Sequence, residues 1–330
     1  MADRLAVLTS GGDAPGMNAA IRGVVRTAAS AGWEVIGFRR GFCGLIDDEA
    51  LPLTPRSVAN ILQRGGSILD TAREARFRDE QVRHAVCDVL DRRRCRALIA
   101  IGGEGTQTGA TRLQEVWSGR VLGVASTIDN DLGGTDHSIG FDTACNTALE
   151  AIDRIRDTAN ALDRLFFIEV MGRHRGFIAL AVAIGGGAEA VVLPEVKLDP
   201  GALLELIHGN YRRGKLSCIV VVAEGAHPGG ARGLLDELDA RDAGLKGMPG
   251  ADPRVTILGH IQRGGNPTAR DRLLASRLAS AATRAAIDGD GNLLFGIRGE
   301  TICSTKIADA VAEKKMLDSS LLELVNTLAG

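Results

Sequence analysis

Short apolar runs recur along the chain, and each ends in a glycine-rich or charged loop. The runs are built mainly from Val, Leu, Ile and Ala and comprise Leu5–Leu8, Ala97–Ile101, Val121–Ala125, Leu165–Val170, Ala190–Leu193, Cys218–Ala223 and Val255–Leu258. Helix-like stretches lie between them, at Asn18–Ala31, Thr143–Leu162 and Asp271–Ile287. Strands that alternate with helices predict an α/β fold with a parallel, doubly wound sheet. In such sheets ligands bind beyond the carboxyl ends of the strands.

Two segments depart from this alternation. Gly225–Asp252 is crowded with glycine, proline and charged residues, which predicts a long excursion or lid. The tail from Cys303 to Gly330 alternates charged residues with Ala, Ile and Leu, which predicts helical packing.

Composition excludes several functional classes. The chain has 330 residues, enough for two domains, with 45% hydrophobic residues and a net charge of -2. A general nucleic-acid binder would carry a basic stripe, and the 3% aromatic content argues against stacking on single strands. The six cysteines form no CxxC pair, which argues against zinc and dithiol chemistry. No apolar run approaches the roughly 20 residues of a membrane span, so a cytoplasmic protein is expected.

The segment TIDNDLGGTD, at residues 127–136, follows one of the apolar runs and places Asp129 and Asp131 two residues apart. Clustered carboxylates at a strand end can serve two purposes in catalysis. One accepts a proton from a hydroxyl group while another holds Mg²⁺ beside a phosphate. The alternative interpretation is an Asx turn, in which Asp and Asn side chains only cap the loop backbone.

Two glycine-rich loops follow other apolar runs. Ser10–Asn18 lets backbone amides approach an anion at a helix N-terminus, and it matches neither the Walker nor the GxGxxG spacing. In Gly102–Thr106, GGEGT, Glu104 stands where a carboxylate could reach Mg²⁺ beside the β- and γ-phosphates. For Ser10–Asn18 the alternative is a plain tight turn, and for Glu104 it is a solvated surface glutamate. Basic residues that suit an anionic sugar also border apolar runs: Arg164, Arg173, Arg254, His260 and Arg263.

Five segments, SGGDAPGMNAAIRG, GGEGT, TIDND, EVMGR and GHIQRGG, occur in this order and resemble the signature series of the bacterial 6-phosphofructokinases. The resemblance implies transfer of the γ-phosphoryl of ATP to the 1-hydroxyl of fructose 6-phosphate, with Mg²⁺. The products are fructose 1,6-bisphosphate and ADP. It also implies two Rossmann-like lobes with the active site in the cleft between them. Residues 1–139 plus 261–311 would form the larger, nucleotide-binding lobe, and 140–260 plus 312–330 the smaller, sugar-phosphate-binding lobe.

The resemblance also assigns roles to individual residues. Asp129 would be the base, Thr127 would help hold the substrate, and Arg173 would stabilise charge on the phosphoryl group in transfer. The sugar-phosphate pocket would be lined by Met171, Gly172, Glu224, His260 and Arg263. Arg164 and Arg254 would come from a neighbouring subunit, so a homodimer or homotetramer is expected. The nucleotide or its metal would be contacted by Gly12, Arg73, Glu104, Gly105 and Thr106, with Glu104 as the metal ligand.

Departures from the family pattern concern the phosphoryl donor. GGEGT replaces the commoner GGDGS, and Gly105 and Ser126 stand where pyrophosphate-using relatives carry Asp and Lys. The residues at both positions favour ATP over pyrophosphate as the phosphoryl donor. A pyrophosphate-dependent phosphofructokinase, a lipid or NAD kinase and a non-catalytic nucleotide-binding regulatory subunit remain alternatives. A second set of basic residues matches the family's effector site, namely Arg22, Arg26, Arg156, Arg213 and Lys215, although Pro55 stands where another arginine is expected.

Overall fold

The computed structural model describes residues 3–215, 217–242, 245 and 253–329. The chain divides into two units, each assembled from separate stretches. The first comprises Met1–Thr143 and Arg263–Lys315, and the second comprises Ala144–Gln262 and Met316–Gly330.

Strands and helices are numbered in chain order. The strands are β1 (Arg4–Thr9), β2 (Glu34–Phe38), β3 (Ala50–Leu53), β4 (Cys95–Gly102), β5 (Arg120–Ala125), β6 (Leu165–Val170), β7 (Ala190–Val192), β8 (Cys218–Ala223), β9 (Arg254–Ile257), β10 (Leu293–Arg298) and β11 (Thr301–Lys306). The helices are α1 (Met17–Ser30), α2 (Phe42–Ile46), α3 (Glu80–Arg92), α4 (Glu104–Val116), α5 (Phe141–Leu162), α6 (Phe177–Gly185), α7 (Pro200–Arg212), α8 (Gly230–Arg241), α9 (Ala269–Asp288), α10 (Ile307–Ala312) and α11 (Ser319–Leu328).

The first unit is built on a sheet with the strand order β11-β10-β5-β4-β1-β2-β3. The adjacent strands β1, β4 and β5 are parallel and are buried on both faces, which explains their continuous apolar sequences. Ala6, Leu8 and Leu98 face a core shared with α3 and α4, whereas α1 and α9 pack against each other. The predicted doubly wound α/β architecture is therefore confirmed for this unit.

The prediction of helical packing from Cys303 onward is wrong for its first residues. Cys303–Lys306 belong to β11, which pairs antiparallel with β10 in the register Leu293↔Lys306 to Arg298↔Thr301. A two-residue turn at Gly299 and Glu300 joins the strands, and Gly299 has a φ of 55°. Turns that need positive φ close hairpins well, and the β-branched residues of TICSTK favour a strand. The rest of the tail contains helices α10 and α11.

The second unit contains a parallel sheet in the order β7-β8-β6-β9. All six residues of β8, CIVVVA, are buried. The predicted excursion at 225–252 is in part a packed helix, because α8 buries Ala231, Leu234 and Leu238 in this unit's core. Residues 243–244 and 246–252 of that segment lie outside the described residues. Within the described ranges, no helix combines the length and apolar character needed to cross a membrane.

Candidate active site

Three predicted loops meet at the carboxyl ends of three central strands in the first unit's sheet. They follow β1, β4 and β5, which are neighbouring parallel strands, so their carboxyl ends lie side by side. The Thr106 hydroxyl donates to the carbonyl oxygen of Ser10 at 2.9 Å. A Cβ atom on Gly103 would lie 3.1 Å from the Cβ of Thr127. The fold therefore brings together the two glycine loops and the acidic segment.

The first glycine loop is fixed from two directions. The Gly11 amide and the Ser10 hydroxyl both donate to the Ala72 carbonyl, each at 3.3 Å. Arg263 donates through Nη1 to the Asp13 carbonyl at 3.2 Å, and a Cβ on Gly12 would stand only 2.7 Å from that nitrogen. A side chain at position 12 would displace the guanidinium group. Arg73, which directly follows Ala72, is exposed beside this loop.

The GGEGT loop starts helix α4, whose first residue is Glu104. Glu104 and Gly105 are exposed in the first turn, whereas Thr106 is buried and bonded to the first loop. A Cβ built on Gly105 would meet no heavy atom within 4 Å. A helix N-terminus with an open glycine in its first turn favours an anion such as phosphate.

The acidic segment forms the turn of the alternative interpretation and holds a buried carboxylate. Asp129 is buried, with 3% relative exposure, and its amide donates to the Thr127 hydroxyl at 3.2 Å. Asn130 has a φ of 52°, accepts the Ser138 amide at 2.9 Å and donates to the Asp136 carbonyl at 3.1 Å. The turn of the alternative interpretation is therefore present, and it also places the Asp129 carboxylate. Sequence reasoning missed Asn130 because it treated this residue only as part of the turn.

Lys315 contacts the same segment from the stretch that follows α10. Its Nζ donates to the Asp136 carbonyl at 2.7 Å, and burial lowers the pKa of Lys315 to about 8 against the opposing effect of Asp136, Asp131 and Glu313. The Glu313 carboxylate accepts the Gly134 amide at 2.9 Å. These two residues brace the backbone that follows Asp129.

In the second unit, the MGR segment forms a turn directly after β6. Gly172 and Arg173 have φ values of 142° and 54°, both positive. Glu224, which follows β8, accepts the amides of Gly172 at 3.2 Å and Arg173 at 2.6 Å through one oxygen. Gln262 accepts the Met171 amide at 2.9 Å. Sequence reasoning did not single out Gln262, although it lies within GHIQRGG.

Two of the predicted residues at this end of the second sheet, Arg173 and Glu224, line a common cavity. A cavity of about 570 Å³ is bordered by Arg173, His174, Glu224 and Gly225 among others. His260 is exposed in the short helical turn Gly259–Arg263 that follows β9. Met171, Gly172, Arg173, Glu224 and His260 all follow the carboxyl ends of β6, β8 and β9.

Arg164 and Arg254 lie at the opposite end of that sheet. Arg164 immediately precedes β6, and Arg254 is the first residue of β9, paired in parallel with Phe166. Five steps along β6 at about 3.3 Å per residue separate its two ends by roughly 17 Å. The structure therefore does not bring these two arginines to the Met171–Arg173 turn of the same chain.

The basic residues matched to an effector site are spread over both units. In the second unit, the buried Glu189 pairs with Arg156 Nη1 at 3.6 Å and Lys215 Nζ at 3.1 Å. Lys215 also donates to the Ala329 carbonyl, and Arg213 donates to Asn210. In the first unit, Arg26 donates to the carbonyl of Pro55 at 3.4 Å.

The metal-ligating side chains present suit an ion that is coordinated mainly by substrate phosphates and only in part by the protein. No group of three or more His, Cys, Asp or Glu side chains within metal-binding distance occurs among the described residues. Mg²⁺ keeps several waters and commonly uses one or two carboxylates together with substrate phosphates. The exposed Glu104 carboxylate at the start of α4 fits this mode of binding.

Comparisons with known sequences agree on one family. The profile of the phosphofructokinase family matches residues 4–286. The chain is 54% identical over 327 residues to "ATP-dependent 6-phosphofructokinase 1" of Thermus thermophilus, covering 99% of both chains. It is 44% identical over 326 residues to the ATP-dependent 6-phosphofructokinase of Thermotoga neapolitana, again covering 99% of both.

Solved structures give the same result. A phosphofructokinase from Saccharomyces cerevisiae matches 99% of this chain with a TM-score of 0.86 and 31% identity, and this chain spans about half, 48%, of the yeast chain. A pyrophosphate-dependent phosphofructokinase from Marinobacter aquaeolei matches with a TM-score of 0.83 at 22% identity, which shows the shared fold alone. The chain belongs to the phosphofructokinase family.

Proposed function

We propose that the protein is an ATP-dependent 6-phosphofructokinase. It moves the γ-phosphoryl group of ATP to the 1-hydroxyl of fructose 6-phosphate and releases fructose 1,6-bisphosphate and ADP. The observation that carries this proposal is the buried Asp129 at the end of β5, with the glycine loops of β1 and β4 beside it. The protein would act in the cytoplasm as an enzyme of glycolysis.

The nucleotide is assigned to the loops at the carboxyl ends of β1, β4 and β5 in the first unit. Backbone amides around Gly12 and Gly105 would hold its phosphates, because glycine loops and the N-terminus of α4 present N–H groups to anions. Thr106 would contribute by joining the two loops, since its own amide donates to the Gly103 carbonyl and its hydroxyl to the Ser10 carbonyl. The exposed Arg73 would add a charge-assisted contact. Glu104 would ligate Mg²⁺. When bound, this ion would neutralise charge on the β- and γ-phosphates.

Asp129 is proposed to act as the general base. The 1-hydroxyl oxygen of the sugar forms a bond to the γ-phosphorus, and the bond to the oxygen between the β- and γ-phosphorus atoms breaks. The proton of the hydroxyl passes to the Asp129 carboxylate, and the leaving oxygen stays on ADP. Thr127 would orient the substrate, and Arg173 would stabilise the charge on the phosphoryl group during transfer.

The sugar phosphate is assigned to residues of the loops that follow β6, β8 and β9, together with Arg263 of the helical turn after β9. Met171, Gly172, Glu224 and His260 would contact the sugar and its phosphate. Arg164 and Arg254 would serve the site of another subunit, and their place at the far end of β6 and β9 supports this assignment. A homodimer would then be the smallest active species.

ATP is proposed as the donor because positions 105 and 126 carry small residues. The open space around Gly105 leaves room for the α-phosphate, whereas an aspartate there would repel it. Ser126 is fully buried, so a lysine at that position would also disturb the core. Gly105→Asp is therefore the cleaner variant for testing donor choice.

A donor comparison tests the proposed function. Purified protein is assayed for fructose 6-phosphate-dependent turnover with Mg²⁺ and either ATP or pyrophosphate, and ATP should be faster. Gly105→Asp should lower kcat/KM for ATP by about tenfold or more, since like charges about 4 Å apart repel by roughly 1–4 kcal/mol. Gly105→Ala adds no charge and should lower kcat/KM for ATP by less than Gly105→Asp does. Faster turnover of the unmodified protein with pyrophosphate would make it a pyrophosphate-dependent enzyme, and no turnover with either donor would support a regulatory subunit.

A further inference from the structure

Three consecutive amides of the Met171–Arg173 turn donate to side-chain oxygens. The Met171 amide donates to Gln262 Oε1 at 2.9 Å. The amides of Gly172 and Arg173 donate to Glu224 Oε1 at 3.2 and 2.6 Å. The turn that carries Arg173 is therefore held through its backbone by two side chains from distant stretches. Glu224 lies 51 and 52 residues from its two amide partners, and Gln262 lies 91 residues from its partner.

Gln262 is suited to a positioning role by its burial and its two bonds. Its relative exposure is 0%, and its Nε2 donates to the Ala144 carbonyl at 3.4 Å. The side chain thus connects the first part of α5 with the end of β6. Burying a carboxamide is costly unless both of its ends find partners, so an apolar residue would be the simpler way to fill this space.

The backbone conformation of the turn explains why it needs support. Arg173 is not glycine, yet it has a φ of 54°, and the left-handed region costs such residues roughly 1–2 kcal/mol. Such conformations persist only where the surroundings over-determine them. Gly225 packs against the other side of the turn, since a Cβ there would overlap the Arg173 carbonyl oxygen.

We propose that Gln262 is a positioning residue for phosphoryl transfer. By fixing the Met171 amide, it holds the Arg173 turn in its left-handed conformation and so aims the guanidinium at the transferring group. This inference rests on the proposed function, because it takes Arg173 as the residue that stabilises the charge in flight. Gln262 itself touches neither substrate nor nucleotide in this proposal.

The main test is a double-mutant cycle. Gln262→Met keeps the length of the side chain but removes both hydrogen bonds. Its kcat should fall by about 10- to 100-fold, the scale of a misplaced catalytic group, and KM for fructose 6-phosphate should rise as well, because Met171 and Gly172 of the same turn are assigned to the sugar. In an Arg173→Ala background the same substitution should change kcat by less than about twofold, because coupled residues are not additive.

The conservative variant Gln262→Glu should show a pH dependence of kcat that a purely structural role would not produce. Gln262→Glu retains an oxygen that accepts the Met171 amide, but it can donate to the Ala144 carbonyl only when the carboxyl is protonated. The ratio of its kcat to that of the unmodified enzyme should therefore rise as the pH is lowered. This variant also serves if Gln262→Met does not fold.

Gln114 provides a matched control in the first unit. Its Oε1 accepts the Val121 amide at 2.8 Å and its Nε2 donates to the Gly119 carbonyl at 3.1 Å, near the amino end of β5. Gln114→Met removes an equivalent pair of backbone bonds and should lower the melting temperature without lowering kcat. Amide hydrogen exchange of the peptide around Met171–Arg173 should speed up in Gln262→Met and stay unchanged in Gln114→Met.

The outcomes separate the two proposals. A folded Gln262→Met with unaltered kcat, or with a full additional loss in the Arg173→Ala background, would overturn the positioning role. Unchanged hydrogen exchange at the turn would overturn it as well, whatever the activity. An unmodified protein without fructose 6-phosphate kinase activity would instead overturn the proposed function, and the exchange measurement would still decide whether Gln262 holds the turn.

Discussion

At the scale of single residues, both parts of the proposed site hold backbone in the left-handed region. Asn130 has a φ of 52° and Arg173 a φ of 54°. Each is tied down by hydrogen bonds, those of Asn130 to Ser138 and Asp136 and those of Arg173 to Glu224. Strain of this kind clusters at functional sites because it preorganises the groups beside it. Here those groups are the Asp129 carboxylate and the Arg173 guanidinium.

The general-base assignment predicts the behaviour of Asp129 variants. Asp129→Ser should lower kcat by roughly 10²–10⁴-fold, the usual contribution of a positioned proton acceptor. The affinity for fructose 6-phosphate should change much less, since the carboxylate acts mainly in the transition state. Asp129→Asn, which preserves the shape of the side chain, should be similarly slow. Steady-state kinetics and substrate-binding calorimetry measure the two effects, and near-normal turnover of either variant would exclude the role.

At the scale of elements, Asp271 joins the N-termini of α5 and α9. Its two carboxylate oxygens accept the Gly140 amide at 2.9 Å, the Thr143 amide at 2.8 Å and the Thr143 hydroxyl at 2.5 Å. Thr268 caps α9 by accepting the Asp271 amide at 3.2 Å. Burial raises the pKa of Asp271 although these donors favour the charged form.

Asp271→Asn should lower the free energy of unfolding at neutral pH by about 1–3 kcal/mol, because its NH₂ group would face a backbone N–H. The raised pKa sets the direction of the pH dependence. The pH-dependent part of the Asp271 contribution, which adds to the hydrogen bonds that remain at neutral pH, is complete below its unfolded pKa of about 3.9 and is lost as pH rises through the higher folded pKa. Denaturant unfolding should therefore show the largest difference between the two proteins at the lowest pH.

The exposed Asp288 on the same helix supplies the control for this measurement. Asp288→Asn removes a carboxylate that is not buried and should change the free energy of unfolding by less than about 0.5 kcal/mol. A deficit of Asp271→Asn that grows as pH rises would contradict the assignment of the raised pKa.

At the scale of the whole molecule, Arg164 and Arg254 predict activity that depends on assembly. Truncating either to Ala should raise KM for the sugar phosphate by about 10- to 100-fold, since a hydrogen bond to a charged group contributes about 1.5–3 kcal/mol.

Purified Asp129→Ser and Arg164→Ala are then mixed, dissociated and reassembled. Hybrid dimers hold one intact site opposite one doubly damaged site, so part of the activity should return. Mixtures that stay inactive while hybrids form would refute the shared site.

The sequence by itself determined the central strands and the positions of the glycine-rich and acidic loops that follow them. Strands such as β4 and β8 are buried on both faces and therefore read as continuous apolar runs, and the observed strands follow the predicted ones closely. The prediction of strands omitted β2, β3 and β10, and β11 was predicted as helix. Of these, β3 is a short edge strand with a weak hydrophobic signal, whereas β2 and β10 lie inside the sheet and carry apolar runs that the prediction overlooked. The strand β11 is ordered by its pairing with β10.

Only the tertiary structure decided how the site residues are supported and which of them share a sheet end. Asp129 and Glu104 are proposed to act through their own side chains, so local motifs can identify them as candidates. Gln262 accepts an amide 91 residues away, and Asp271 accepts amides 128 and 131 residues away, and no local pattern records such pairs. The direction of β6 and β9 likewise places Arg164 and Arg254 away from Arg173. Hydrogen bonds between distant stretches exist only once the chain has folded, and for that reason the sequence could not supply them.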